Sequence, residues 1–311
     1  SADDPARDQR LALAHEDLAR ALQTIGRDAD ALAQAEAALE LYRKQGWLNS
    51  VGATALLCAS LCQRLGQWSL AREKVAEARQ SFGDPADRRD EAHVLHLLGG
   101  IARHDGDLRQ AEQYQRQALE VYRVLQDAGG QAVCHASLGW MRLERREFGE
   151  GAAAFGRALI ASEAAAESQL VIHSLHGLGR SNRLLGELIE ARRHLERALE
   201  LAQQSDALAV TAMCLFELSQ VERAAHDTDQ ARNLALRAAA LYERVQDHFS
   251  AGDCLQSLAH DQPEAGWDKR ALACFHQSLG LARQRQDRVL EARALDRLAK
   301  LASDRGALEE A

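Results

Sequence analysis

Residues 94–118 read VLHLLGGIARHDGDLRQAEQYQRQA, and this stretch decides the fold. From Val94 to Arg103 the apolar residues fall at helical spacing, with the small Gly99 directly after Leu98. His104-Asp105-Gly106-Asp107 then reads as a turn, because Asp and Gly accept the backbone that ends one helix and starts another. Leu108 to Val124 returns to helical spacing, with Ala111 and Ala118 two turns apart on one face. Two helices joined by so short a turn fold back on each other. They approach closely only where side chains are small, and Gly99, Ala111 and Ala118 supply that surface.

Stepping by 40 residues from Ala111 meets Ala31, Ala71, Gly151, Ala191, Ala231, Ala271 and Ala311. The Ala118 column runs from Ala38 to Ala238 and ends in Ser278. Five residues before the first column lie Gly26, Gly66, Gly106, Gly186, Gly266 and Gly306, broken only by Arg146 and His226. Ala19, Ala59, Gly99, Gly139, Gly179, Ser219, Ala259 and Ala299 form a further small column. A mostly leucine column stands just before it, from Leu18 to Leu298 with Cys58 as the exception. No gap is needed, so the chain is an array of one supersecondary unit. Gln126-Asp127, Gln246-Asp247 and Gln286-Asp287 mark passages between hairpins. His260-Asp261-Gln262-Pro263 predicts a shortened first helix and a local kink.

Composition agrees. The chain of 311 residues is 46% hydrophobic but only 5% aromatic, and Pro5, Pro85 and Pro263 are its only prolines. That is the balance of an Ala/Leu-rich helical protein rather than a sheet protein. A net charge of −8 argues against general nucleic-acid binding. No apolar run is long enough for a membrane span. Cys134, Cys214 and Cys254 recur at one repeat position, no CxxC occurs, and the six cysteines read as small buried fillers in a cytoplasmic protein.

Leu98-Gly99, Gly106, Ala111 and Ala118 resemble the signature of the tetratricopeptide-repeat (TPR) family, as do Leu178-Gly179, Gly186, Ala191 and Ala198. The common repeat of that family is about 34 residues, so this one has longer hairpins. The longer form resembles the repeats of LGN/Pins scaffolds and of bacterial signalling and regulatory proteins. The resemblance implies an all-α fold, a right-handed α-α superhelix (TPR solenoid) of about seven and a half to eight hairpins. The expected organisation is a disordered N-terminal tail over 1–10 and a single solenoid domain over 11–311. Its repeats lie near 12–51, 52–91, 92–131, 132–171, 172–211, 212–251 and 252–291, with a partial one over 292–311 cut short early in its second helix.

The resemblance also implies a concave groove lined by fixed positions of each first helix. Carried onto this chain, those positions are His93, His96, Arg103 and His104, then Trp140, then His173, His176, Arg180 and Arg183, then Met213, Phe216, Gln220 and Arg223. The groove is thus expected to be basic and His-rich, with the acidic residues mostly on the second helices and the outer face. Arginine forks would take carboxylates or phosphates. Trp140, Met213 and Phe216 would take apolar side chains of a peptide. The Lys/Asn clamp of chaperone-binding members has no match. Histidines would make the groove responsive near pH 6.5.

Catalytic signals are thin. His104-Asp105 and His226-Asp227 fall in turns, and the chain has neither a Gly-rich phosphate loop with Lys nor a serine elbow. His93/His96 and His173/His176 have zinc-like spacing, but the pairs are two repeats apart. The expectation is a non-enzymatic module without cofactor or metal that binds a protein or an acidic peptide, not nucleic acid or membrane. A C-terminal output domain would follow, as in bacterial regulators of this type. The alternatives are a scaffold or oligomerisation module that pairs through its incomplete last repeat and has no ligand of its own, and more remotely an enzyme or metal-binding protein.

Overall fold

The computed structural model describes residues 5–24, 26–82, 88–261, 266–285 and 287–309. Pro85, Gln262, Pro263, Gln286 and Ala311, which figure in the sequence reading, lie outside the described residues. Within them the chain is all-α, without strands. In order, the helices are α1 (Pro5–Thr24), α2 (Asp28–Gln45), α3 (Leu48–Arg64), α4 (Trp68–Ser81) and α5 (Arg88–His104). Then come α6 (Leu108–Val124), α7 (Ala128–Glu144), α8 (Phe148–Ala164), α9 (Ser168–Leu185) and α10 (Leu188–Gln204). Last are α11 (Leu208–Ala224), α12 (Thr228–Arg244), α13 (His248–Asp261), α14 (Trp267–Gln284) and α15 (Arg288–Glu309).

A left-handed residue closes helix after helix. Gly26, Gly66, Gly106, Gly186 and Gly266 have positive φ, and Arg146 and His226 take the same conformation where the glycine column breaks. The passages between hairpins use it too, at Gly46, Gln126, Ala166, Asp206 and Gln246. The residue pays for its backbone by closing the cap: Gly106 N–H donates to the Arg103 carbonyl at 3.1 Å and Asp107 N–H to Ala102 at 2.9 Å. The aspartates that follow are N-caps. Asp107, Asp127, Asp227 and Asp247 each accept a backbone N–H three residues on.

Hairpins close through size compensation. A Cβ on Gly99 would meet Gln115 at 2.3 Å, one on Gly139 would meet Phe155 at 2.8 Å, and one on Gly179 would meet Leu195 at 2.4 Å. Ser219 faces the same position with the smaller Ala235 available on α12, both buried. Ala31, Ala71, Ala111, Ala191, Ala231 and Ala271 are buried, as are the residues seven places on, Ala38, Ala78, Ala118, Ala198, Ala238 and Ser278. All six cysteines are buried thiols, and burial pushes Cys58, Cys62, Cys134 and Cys214 up to about 12.

The chain divides into two compact units: residues 1–146 with 153–170, and residues 147–152 with 171–311. A repeat array is held by contacts between neighbours only, so nothing obliges it to form a single core. In the first unit α1/α2, α3/α4 and α5/α6 are hairpins, and α3 lies beside α5 and α5 beside α7. In the second, α11/α12 and α13/α14 are hairpins and α15 packs on α14.

Both ends of the sequence depart from expectation. Helix α1 starts at Pro5, so the segment read as a disordered tail over 1–10 is helical from there; Pro fits the first helical turn because its missing N–H has no partner to lose. The half-repeat expected over 292–311 does not turn at Gly306. Helix α15 runs through it to Glu309. A glycine inside a helix costs about 1 kcal/mol, less than leaving the carbonyls of a helix end unpaired. Ala299 on α15 is exposed although its column is otherwise largely covered. The shortened helix and kink predicted at His260-Asp261-Gln262-Pro263 fall where the described part of α13 ends at Asp261, residues 262–265 lying outside the described ones.

Candidate functional site

In the first unit the predicted positions mostly face their own neighbours. The His96 ring Nδ1 lies 3.0 Å from Gln115 Oε1, and Gln115 Nε2 donates to the His96 carbonyl at 2.9 Å. Gln115 is buried on α6 beneath Gly99, so His96 points into its hairpin. Burial, then the neighbouring His96, lowers His93 to about 4. The His104 ring stacks on Trp68 at the start of α4, with centroids 4.1 Å apart and planes 20° from parallel. Arg103 Nε donates to Glu144 at 2.7 Å across α5 and α7. Trp140 meets the buried Phe155 edge-on at 5.0 Å.

The second unit gathers more. Arg183 Nε donates to Glu217 Oε2 at 3.1 Å, and Arg180 lies 3.5 Å from Glu217 Oε1. The carboxylate side chain is only 6% exposed, against 20% for Arg183 and 45% for Arg180. Burial pushes the Glu217 carboxyl up, but Arg180 and Arg183 more than offset it and hold it below the ordinary range. His176 is buried, and burial lowers it to about 4 against the upward pull of Glu217. Helix α11 buries a second carboxylate, Glu222, which takes both arms of Arg192 at 2.7 and 2.6 Å. Arg223 donates to the Ser257 carbonyl at 2.9 Å and also to its hydroxyl, and Gln220 Nε2 reaches the same hydroxyl at 3.2 Å. Met213 and Phe216 are half-buried on the core that α11 shares with α12 and α13. His173, Met213, Phe216 and Gln220 are all partly exposed.

Three bonds share one spacing: Gln63 donates to the Leu97 carbonyl, Arg183 to Glu217 and Arg223 to Ser257, each 34 residues ahead. At these three places the same position of one first helix is a polar staple to the next, while Arg103 at that position reaches Glu144 instead. The acidic residues Glu144, Glu217 and Glu222 lie on first helices. Burial lowers His93 and His176 to about 4, away from pH 6.5. Glu217, Ser257, Gln115 and Trp68 were missed. Glu217 did carry a signal, since a lone acid in the apolar run Met213–Leu218 must find a partner.

Among the described residues, no three His, Cys, Asp or Glu side chains converge to hold a metal ion, and no helix is long and apolar enough to cross a membrane.

Residues 50–124 and 170–244 match the family model for the tetratricopeptide repeat. Those two stretches are tetratricopeptide repeats. No curated protein sequence matches it. Among solved structures, the TPR chain is similar to aspartyl phosphate phosphatase F from Bacillus subtilis, at 16% identity over 88% of this chain and 75% of that one, with a TM-score of 0.58. It is also similar to a Rap conjugation gene regulator of a plasmid in complex with a Phr peptide, at 12% identity over 98% and 96%, with a TM-score of 0.63. A signal-transduction ATPase with numerous domains and a TPR sensor, from Pyrococcus horikoshii, matches at 13% identity with a TM-score of 0.62. That match covers 99% of this chain but 49% of the ATPase. These likenesses are of fold.

Proposed function

We propose that this TPR chain is a non-enzymatic module that binds a protein or peptide along its first helices, and that it serves as the sensory or docking region of a larger bacterial signalling or regulatory protein. The observation that carries the reading is the row Met213, Phe216 and Gln220 on one face of α11. These side chains are apolar or uncharged, partly exposed, and set between arginines that neighbouring helices hold in place. Such a face combines anchors for apolar side chains with fixed donors. The structurally similar Rap regulator that holds a peptide supports it, as does the ATPase whose TPR region is named a sensor. The six unlinked, buried cysteines favour the cytoplasm.

The test is selection of peptides from a random display library on the purified chain, followed by calorimetric titration of those enriched. Met213→Ala with Phe216→Ala is expected to weaken binding by at least tenfold, since a good apolar anchor is worth about 2 kcal/mol. Absence of enrichment, or binding that no first-helix substitution alters, would count against the reading.

The second reading, a scaffold that self-associates, is favoured by one observation: Leu11, Leu13 and Leu18 of α1 are each close to half-exposed. Sedimentation over a range of concentrations decides it. A concentration-independent monomer removes it.

A further inference from the structure

We propose that the outer face of α1 is a docking site for an amphipathic helix of another protein, one that carries Leu-x-x-Tyr in its last turns. The site is independent of the α11 face on which the peptide-binding reading rests.

The repeat supplies the comparison. Leu11, Ala14, Leu18 and Ala21 follow one another at three- and four-residue steps, so they form one stripe along α1. All four are exposed, Leu11 by 45% and Leu18 by 47%. Their counterparts in later repeats are covered. Thr54, Val94, Cys134, Cys214 and Cys254 stand where Ala14 does, and each is buried. In the Leu18 column Leu218 and Leu258 are buried, and in the Ala21 column so are Leu61 and Ile101.

What covers those counterparts defines the occupant. Helix α7 lies against α6, the second helix of the preceding hairpin, and Leu119 and Tyr122 of α6 pack with Cys134 and Leu138 of α7. A Cβ on Gly130 would meet the Tyr122 ring at 2.3 Å. In the second unit Ala239 and Tyr242 of α12 share a core with Cys254 and Leu258 of α13. Leu39 and Tyr42 of α2 are buried in one core with Val51 and Cys58 of α3. The covering helix thus brings Leu or Ala, and one turn later Tyr, onto the positions that α1 leaves open. Charge fits the same arrangement. Leu125, Gln126 and Asp127 join α6 to α7, so the two helices run antiparallel. A helix docked in that way on α1 sets its C-terminal turn beside Arg10, which holds the place of Gly130 in the repeat. Arg10 is exposed, and a cation beside a helix C-terminus is favourable. A second copy of this chain has such helices engaged already, because α2, α6 and α12 are each folded on their own first helix. The occupant is therefore a different protein.

Fluorescence anisotropy on the whole chain tests this with a labelled peptide of residues 108–124, the sequence of α6. Saturable binding is expected, with a gain of peptide helicity by circular dichroism, since a helix of this length is marginal in water by itself. Ala14→Glu with Leu18→Asp is expected to weaken binding by about tenfold or more. It should leave the helicity of the chain unchanged, because both side chains are exposed. The peptide bearing Leu119→Ser and Tyr122→Ser should lose affinity for the unaltered chain to a similar extent. Leu295→Asp, at an exposed position of α15, should change nothing. No saturable binding, binding indifferent to the α1 pair of substitutions, or an equal loss in Leu295→Asp overturns the inference. So does sedimentation that shows a dimer of the chain which the α1 pair dissociates, since the face then belongs to a second copy.

Discussion

Glu217 and His176 show how single residues take their state from what surrounds them. Glu217 stays ionised in a buried setting because two arginines face it. His176 stays neutral because burial disfavours its cation more than Glu217 favours it. Its folded value of about 4 lies below the ordinary 6.5, so on acidification the unfolded chain takes up the proton first. This contribution to stability is complete above pH 6.5, shrinks between pH 6.5 and 4, and is gone below that. The full shift is worth about 3 kcal/mol. His93 and His135, also lowered to about 4, act in the same direction. Urea midpoints measured across this range are expected to fall with pH, and less steeply in His176→Gln. A variant slope equal to that of the wild type would refute the assignment. From sequence the histidines were legible as one face of a helix, but their protonation was not, because it depends on burial by other elements.

At the scale of helices, the small columns and the turns were legible because they are local or strictly periodic. The left-handed residue, usually glycine, that follows a first helix and the aspartate that caps some of the next helices are determined by backbone conformation and capping. What they pack against is not local. Gly179 exists to admit Leu195, and the facing residue changes from Gln115 to Phe155 to Leu195 along the array. Gly179→Ala is expected to destabilise by about 1–3 kcal/mol through overpacking. Adding Leu195→Ala, which by itself leaves a cavity, should recover part of the loss, and denaturant titration of the double-mutant cycle reads the coupling. Strict additivity would show that the two positions do not touch. The left-handed Ala166 lay beyond the sequence reading, since alanine does not mark such a turn.

Within each unit, contacts run between sequential helices, so damage should stay near its origin. Glu217→Ala leaves two arginines without their shared carboxylate. Hydrogen exchange is expected to accelerate in α9 and α11, while the α14 amides retain wild-type protection. Uniform acceleration across the second unit would instead indicate one cooperative block. The same locality explains why the array forms two compact units.

The sequence by itself determined the repeat, its helices and their turns. Those follow from backbone conformation and from small residues recurring at a fixed interval, which one chain displays without a partner. Only the tertiary structure decided which groove positions are spent on the protein itself. Gln63, Arg183 and Arg223 bond a residue 34 places ahead, and His96 turns inward to Gln115. A side chain on a helix face can meet ligand or neighbour, and the choice is made by what the next helix carries at the point of contact.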